Sequence, residues 1–146
     1  MSYTEANYEN AVIEVFRDTL GYAYIYGPDV TREYENPLYM DEFSAALRRV
    51  NPKLPEAALS EAGYKLGNIE GSTLLQKNAQ FMDYLQNGVS VNYFDKDEQR
   101  SALVNLVDFE NVEYNTFTVA NQWTINENSE TPGYPSFSER IARGGV

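Results

Sequence analysis

Neither cysteine nor histidine occurs in the 146-residue chain. Without cysteine, no disulfide scaffold and no thiolate metal site can form. Without histidine, the commonest metal ligand and the commonest general base are missing as well. Serine–histidine and cysteine–histidine catalysis are therefore excluded within this chain, and so are structural zinc sites. No apolar run approaches the roughly 18–20 residues of a membrane span. The opening Met1 to Glu5 lacks the basic and apolar regions of a signal peptide. The cytoplasm is the simplest compartment for such a chain. Positive charge is scarce too: 11 Lys and Arg stand against 22 Asp and Glu, for a net charge of −11. A pI near 4.3 repels a phosphate backbone, so this chain alone is expected to bind nucleic acid weakly or not at all.

What remains is enough to fold. A hydrophobic content of 42% with 14% aromatics suits a globule rather than a disordered chain. The length predicts one domain with a single core. The side chains left for chemistry are carboxylates, tyrosines, lysines and hydroxyls. They point to oxygen-ligated magnesium or to no catalysis.

The hydrophobic pattern predicts an α+β fold. Ser2 to Glu5 fits a capping box, and Tyr8, Val12, Val15, Phe16 and Leu20 recur at helical spacing until Gly21 stops them. Tyr22 to Tyr26 reads as a short strand closed by a Gly27-Pro28-Asp29 turn. A helical insertion follows. Its first helix opens at Asn36-Pro37, buries Tyr39, Phe43, Leu47 and Val50, and closes at Asn51-Pro52. Its second opens at Pro55 and carries Leu59, Ala62 and Leu66; its third runs from Ser72 to Asn87-Gly88, presenting Leu74, Leu75, Asn78, Phe81, Met82 and Leu85. Beyond Gly88 the period becomes alternating. Val89, Val91 and Tyr93, then Ala102, Val104 and Leu106, then Phe117 to Ile125 predict a mostly antiparallel meander. From Asn126 on, neither period persists, and residues 129–146 read as a disordered tail.

One residue is out of place in this pattern. On a helical wheel at about 100° per residue, Glu9 falls between Phe16 and Leu20 inside the apolar arc, whereas Glu14 lies among Asn10, Arg17 and Asp18. A carboxylate on a buried face is costly unless paired, hydrogen-bonded or bound to a cation. Either Glu9 reaches water or a tyrosine hydroxyl at the margin of an interface, or it is an active-site carboxylate beside a metal or a water. The wheel does not choose. Other candidates are weaker. Asp108 and Glu110 follow an apolar strand, where acids usually begin a turn. Arg48-Arg49 reads as a solvated helix face rather than a phosphate clamp. The twelve tyrosines are too dispersed for a stacking platform. Asp95-Lys96-Asp97 lacks the ligands and the glycine of a calcium loop.

Several segments resemble, in order, the start of type I restriction R subunits. They are Tyr3 to Glu5 with Tyr8 to Glu14, Leu20-Gly21-Tyr22, Tyr26 to Asp29, Asn36 to Tyr39, Leu47 to Pro52, Leu74 to Asn78 with Phe81 to Val89, Val107 to Asn111, and Asn121 to Thr124. The resemblance covers roughly residues 3–128 and is specific as a combination. It implies a PD-(D/E)xK nuclease domain, here an incomplete restriction-endonuclease-like fold over 1–128. In that fold an early helix glutamate, a later Pro-Asp and a Glu-x-Lys hold magnesium and activate water. Glu9 matches the early glutamate, a ligand either directly or through water. For the intact subunit the resemblance implies Mg2+, ATP in motor domains further along, DNA, and methylation and specificity subunits as partners. For this chain it implies no cofactor and no activity, because Thr131-Pro132-Gly133-Tyr134 stands where Arg-Pro-Asp-Ile is expected and no Glu-x-Lys follows.

A shifted reading frame accounts for that departure. Read from the second base of each codon, Thr131 to Tyr134 permits CGC-CCG-GAT-ATC, which encodes Arg-Pro-Asp-Ile. Phe137, Glu139, Arg140, Ile141 and Ala142 permit Phe, Asn, Gly, Leu and Pro, and Arg143, Gly144 and Gly145 each permit Val. The result resembles the family's run into Glu-x-Lys. Two other readings compete: a non-enzymatic acidic interaction module, and a small hydrolase in which Glu9, Asp108 and Glu110 converge. An exposed sheet edge would also allow a homodimer.

Overall fold

A computed structural model describes residues 4–126. The chain divides into two compact units, one made of residues up to Tyr39 and from Phe117 on, the other of Met40–Thr116. The architecture is α+β throughout.

The first unit opens with α1, Glu5–Glu14. Its N-cap is Thr4 rather than Ser2: the Thr4 hydroxyl accepts the Asn7 N–H, and the Asn7 side chain accepts the Thr4 N–H. After Glu14 the helix loosens into a π turn, Val15–Thr19, closed by the Leu20 N–H bonding to the Val15 carbonyl. This extra residue rotates everything beyond it, and the wheel drawn with a uniform period loses its phase there. The apolar arc is only partly covered, before the π turn as well as within it. Ile13 is buried, whereas Val12, Val15 and Leu20 are each more than half exposed, contrary to the expected buried face.

Gly21, at φ +73°, lets the chain reverse into β1, Ala23–Tyr26. The expected third strand of the meander is β4, Thr118–Asn121, and it does not join the other two. It pairs with β1 in parallel, Ala23 opposite Thr118 and Tyr26 opposite Asn121. Antiparallel continuation was expected from the order of strands along the chain, but parallel partners require a long crossover, here the whole second unit. The strand is also shorter than its alternating pattern, because Gln122 takes φ +51° and breaks the pleat before Trp123.

The second unit holds most of the buried side chains. Its helices are α2, Met40–Val50; α3, Glu56–Gly67; and α4, Leu74–Asn87. α2 begins later than Asn36-Pro37 predicted, because the Asn36 side chain instead accepts the Leu38 N–H and holds a turn. α3 buries Ala58, Leu59, Ala62 and Leu66 against a hairpin of β2, Val89–Asp95, and β3, Glu98–Val104. Lys96 and Asp97 both have positive φ, the geometry of a tight hairpin turn, and set Val89 opposite Val104. α4 carries no buried residue, and Leu74, Leu75 and Met82 are exposed instead of packed.

Candidate functional site

The Thr4 cap sets the phase of α1, and that phase turns Glu5, Glu9 and Val12 toward an open cleft of about 760 Å³ whose other wall is Val119 to Gln122 of β4 and its end. Glu9 is half-buried here. Its Oε1 accepts hydrogen bonds from Asn121 Nδ2 at 3.0 Å and Gln122 Nε2 at 2.8 Å. The Tyr24 hydroxyl donates to Asn121 Oδ1 at 2.9 Å, which fixes which end of that amide faces Glu9. Two neutral amides converge on one of its oxygens.

The backbone behind this arrangement is tight. A Cβ at Gly27 would stand 2.4 Å from the Gln122 carbonyl oxygen and 2.7 Å from that of Asn121. Only glycine fits where β1 runs out against the end of β4. Beyond Gln122, Trp123 lies under the Arg32 guanidinium, 4.0 Å from it, with Tyr39 edge-on at 5.7 Å. Arg32 also stacks on Tyr34 and donates to the Thr124 carbonyl. The Asn126 N–H bonds to the Tyr34 carbonyl at 2.9 Å. The stretch that follows the cleft is therefore clamped in place.

Among the described residues, the charged side chains lining the cleft are Glu5 and Glu9, with no lysine or arginine beside them. Such a lining attracts a cation and repels a bare phosphate. Among the described residues, no group of three or more acidic side chains could hold a metal. Magnesium typically takes one or two carboxylates and completes its shell with waters and substrate phosphates. The hard oxygens of Glu9 and Glu5 therefore fit part of a magnesium shell, with Glu9 the better placed because its carboxylate is already oriented.

The weaker candidates have structural work. Asp108 Oδ1 accepts the Asn111 N–H at 2.8 Å and the Glu110 N–H at 3.0 Å, so it nucleates a turn. Those backbone hydrogen bonds, that from Asn111 foremost, hold its carboxyl below the usual aspartate range. Arg48 pairs with Glu56 at 2.7 Å. Arg49 donates to the Tyr114 carbonyl and, at 2.8 Å, to the Thr116 hydroxyl. With no cluster of three acids among the described residues, the small-hydrolase reading lacks the convergence it needs. Asn121, Gln122 and Gly27 were not singled out from sequence as partners of Glu9. A buried-face carboxylate signals that donors exist, but nothing in spacing says which residues more than a hundred positions away supply them. The 129–146 tail lies outside the described residues.

The comparisons agree with the family resemblance read from the sequence. The family model described as the N terminus of the type I restriction enzyme R protein matches residues 2–134, past the boundary at 128. The chain is 33% identical over 123 residues to a Methanocaldococcus jannaschii protein named as the MjaIXP endonuclease subunit of a type I restriction enzyme, covering 80% of this chain and 12% of that protein. It is 30% identical over 115 residues to the type I restriction enzyme HindI endonuclease subunit of Haemophilus influenzae, covering 73% of this chain and 11% of that one. The chain thus spans about an eighth or less of the length of these relatives. No solved structure matches. The chain belongs to the family of type I restriction enzyme R protein N termini.

Proposed function

We propose that this chain is the opening part of an R-subunit nuclease domain, which in the intact subunit cleaves DNA phosphodiesters with magnesium after ATP-driven translocation. The observation that supports this reading is the setting of Glu9, which the resemblance matches to the family's early helix glutamate: on α1 it faces a cleft lined by acidic side chains and is held by Asn121 and Gln122. When bound, magnesium supplies charge stabilisation to the phosphoryl oxygens. Glu9 supplies one oxygen ligand, directly or through water. Two or more acidic ligands and a lysine are needed for cleavage, so the chain alone is inactive and binds nucleic acid weakly. Residues 131–146 are then the product of a shifted reading frame. DNA, methylation and specificity subunits, and ATP belong to the complete enzyme, which works in the cytoplasm.

The test is to incubate the purified chain with supercoiled plasmid and Mg2+. No nicking is expected. Nicking that disappears in a Glu9→Ala variant would overturn the inactivity. Sequencing the source gene through codon 131 tests the frame: continuation through Glu-x-Lys into a long motor-bearing frame is expected, and a quick stop in the shifted frame would refute it. A second reading, an acidic interaction module, is favoured by one observation. Leu74 and Leu75 on α4 are 75% and 79% exposed on a chain of net charge −11. A basic partner protein captured through α4, and lost with Leu75→Glu, would support it; a homodimer through a free edge of the β1–β4 pair would show instead as a doubled mass in light scattering.

A further inference from the structure

The Glu9 carboxylate is not merely satisfied; it is satisfied asymmetrically. Both side-chain amides fall on Oε1, and neither engages Oε2. A carboxylate anchored by one oxygen has a defined plane, so the direction of its other oxygen is set as well. The anchoring groups are themselves anchored. Tyr24 orients the Asn121 amide, and Gln122 reaches Glu9 from a left-handed backbone position at φ +51°. That conformation is uncommon for a residue with a Cβ and is held here by close approach to Gly27. Neutral amide donors have a further consequence. An arginine or lysine at the same place would neutralise the carboxylate and compete with a cation, whereas an amide fixes it and leaves its charge intact.

We infer that Asn121 and Gln122 are positioning residues that aim Glu9 at a divalent cation, with Gly27 the backbone seat that puts Gln122 in reach. This rests on the reading of Glu9 as a magnesium ligand, and it departs from the expectation that this chain takes no cofactor: Glu9 with Glu5 offers a weak cation site, short of the ligands that cleavage needs. Groups that orient a metal ligand commonly change metal affinity by about 10- to 100-fold when removed.

The experiment uses the full chain with Mn2+ alone as the probe, read by paramagnetic broadening of the NMR signals of Ala6 and Ala120 in the cleft. Four proteins are compared: wild type, Glu9→Gln, Gln122→Met and Asn121→Ala. Trp123 fluorescence during urea unfolding checks that each is folded. The expected result is saturable broadening in wild type, its loss in Glu9→Gln, and an affinity about 10-fold weaker in each amide variant. Wild-type affinity in both folded amide variants, with Glu9→Gln still abolishing the effect, overturns the positioning roles and leaves the metal reading standing. Broadening that survives Glu9→Gln, or none in wild type, overturns the metal reading and the inference with it. Should one amide variant fail to fold, the other decides. Should both fail, the side-chain amide signals of Asn121 and Gln122 in Glu9→Gln decide: both shifting, together with loss of broadening, supports the inference, and neither shifting overturns it.

Discussion

Gly27→Ala is the sharpest perturbation the fold offers. The added methyl would meet the Gln122 carbonyl oxygen at 2.4 Å, the Asn121 carbonyl oxygen at 2.7 Å and the Gln122 carbonyl carbon at 2.8 Å. All three are backbone atoms, so no side chain can swing away. The nearest must retreat from 2.4 Å to at least 3.0 Å, and it belongs to the residue that also holds Glu9 and precedes the Trp123 clamp. Overpacking ordinarily costs about 1–3 kcal/mol, and a rigid backbone partner places this case near the upper end, about 3 kcal/mol. With a urea slope of roughly 1–3 kcal/mol per M, the midpoint should fall by roughly 1–3 M. Trp123 is the single tryptophan and sits in the same unit, so its fluorescence reports the affected region directly. Gly63 provides the contrast. An added Cβ there meets only the Phe43 ring at 3.8 Å, in the middle of α3, so Gly63→Ala should stabilise by about 0.5–1 kcal/mol through helix propensity. A Gly27→Ala midpoint within error of wild type would refute the claim that the end of β4 is sterically locked.

Three further outcomes follow from particular contacts. Buried Asn51 donates to the Leu47 and Asn105 carbonyls and accepts the Asn105 N–H at 2.8 Å, tying the end of α2 to the residue after β3; Asn51→Ala should cost about 3 kcal/mol in urea unfolding followed by circular dichroism, and a loss under 1 kcal/mol would contradict it. Asp108 titrates below its ordinary range because the Asn111 and Glu110 N–H groups favour its charged form, so its contribution is complete above about pH 4, the unfolded value, and is lost as pH falls through the lower folded value. Asp108→Asn should accordingly narrow the difference between urea midpoints at pH 7 and pH 3, and an unchanged difference would refute the assignment. Arg32→Met removes the cation stacked on Trp123 and Tyr34 and should cost about 1–2 kcal/mol with a shifted Trp123 emission maximum, whereas identical spectra would argue against the stack.

What could be read from the sequence was local. The α3 face of Leu59, Ala62 and Leu66 obeys a 3.6 period, and the Val89 to Val104 hairpin announces itself by alternation around a polar turn. Glu9 was visible as an anomaly because a charge inside an apolar arc must be compensated. Its compensators were not visible. They lie 112 and 113 positions away, brought near by a parallel pairing of β1 and β4 that no periodicity encodes. The exposure of Val12 and Val15 was equally hidden, since a wheel shows which side chains share a face and not whether anything covers it. The π turn after Glu14 is a local event, but the sequence carries no punctuation such as proline to mark it.

The crossover between β1 and β4 also sets an order of events on the ribosome. Met40–Thr116 can collapse on its own contacts while the chain is still being made, but the cleft at Glu9 cannot close until Gln122 has emerged. At roughly 5–20 residues per second, 113 residues take roughly 6–23 s. For that interval Ile13 of α1 waits uncovered, and the Glu9 carboxylate waits for its two amide donors. α1 is thus made well before the residues that complete its cleft, and a chaperone acting on this protein during that interval would find α1 unfinished.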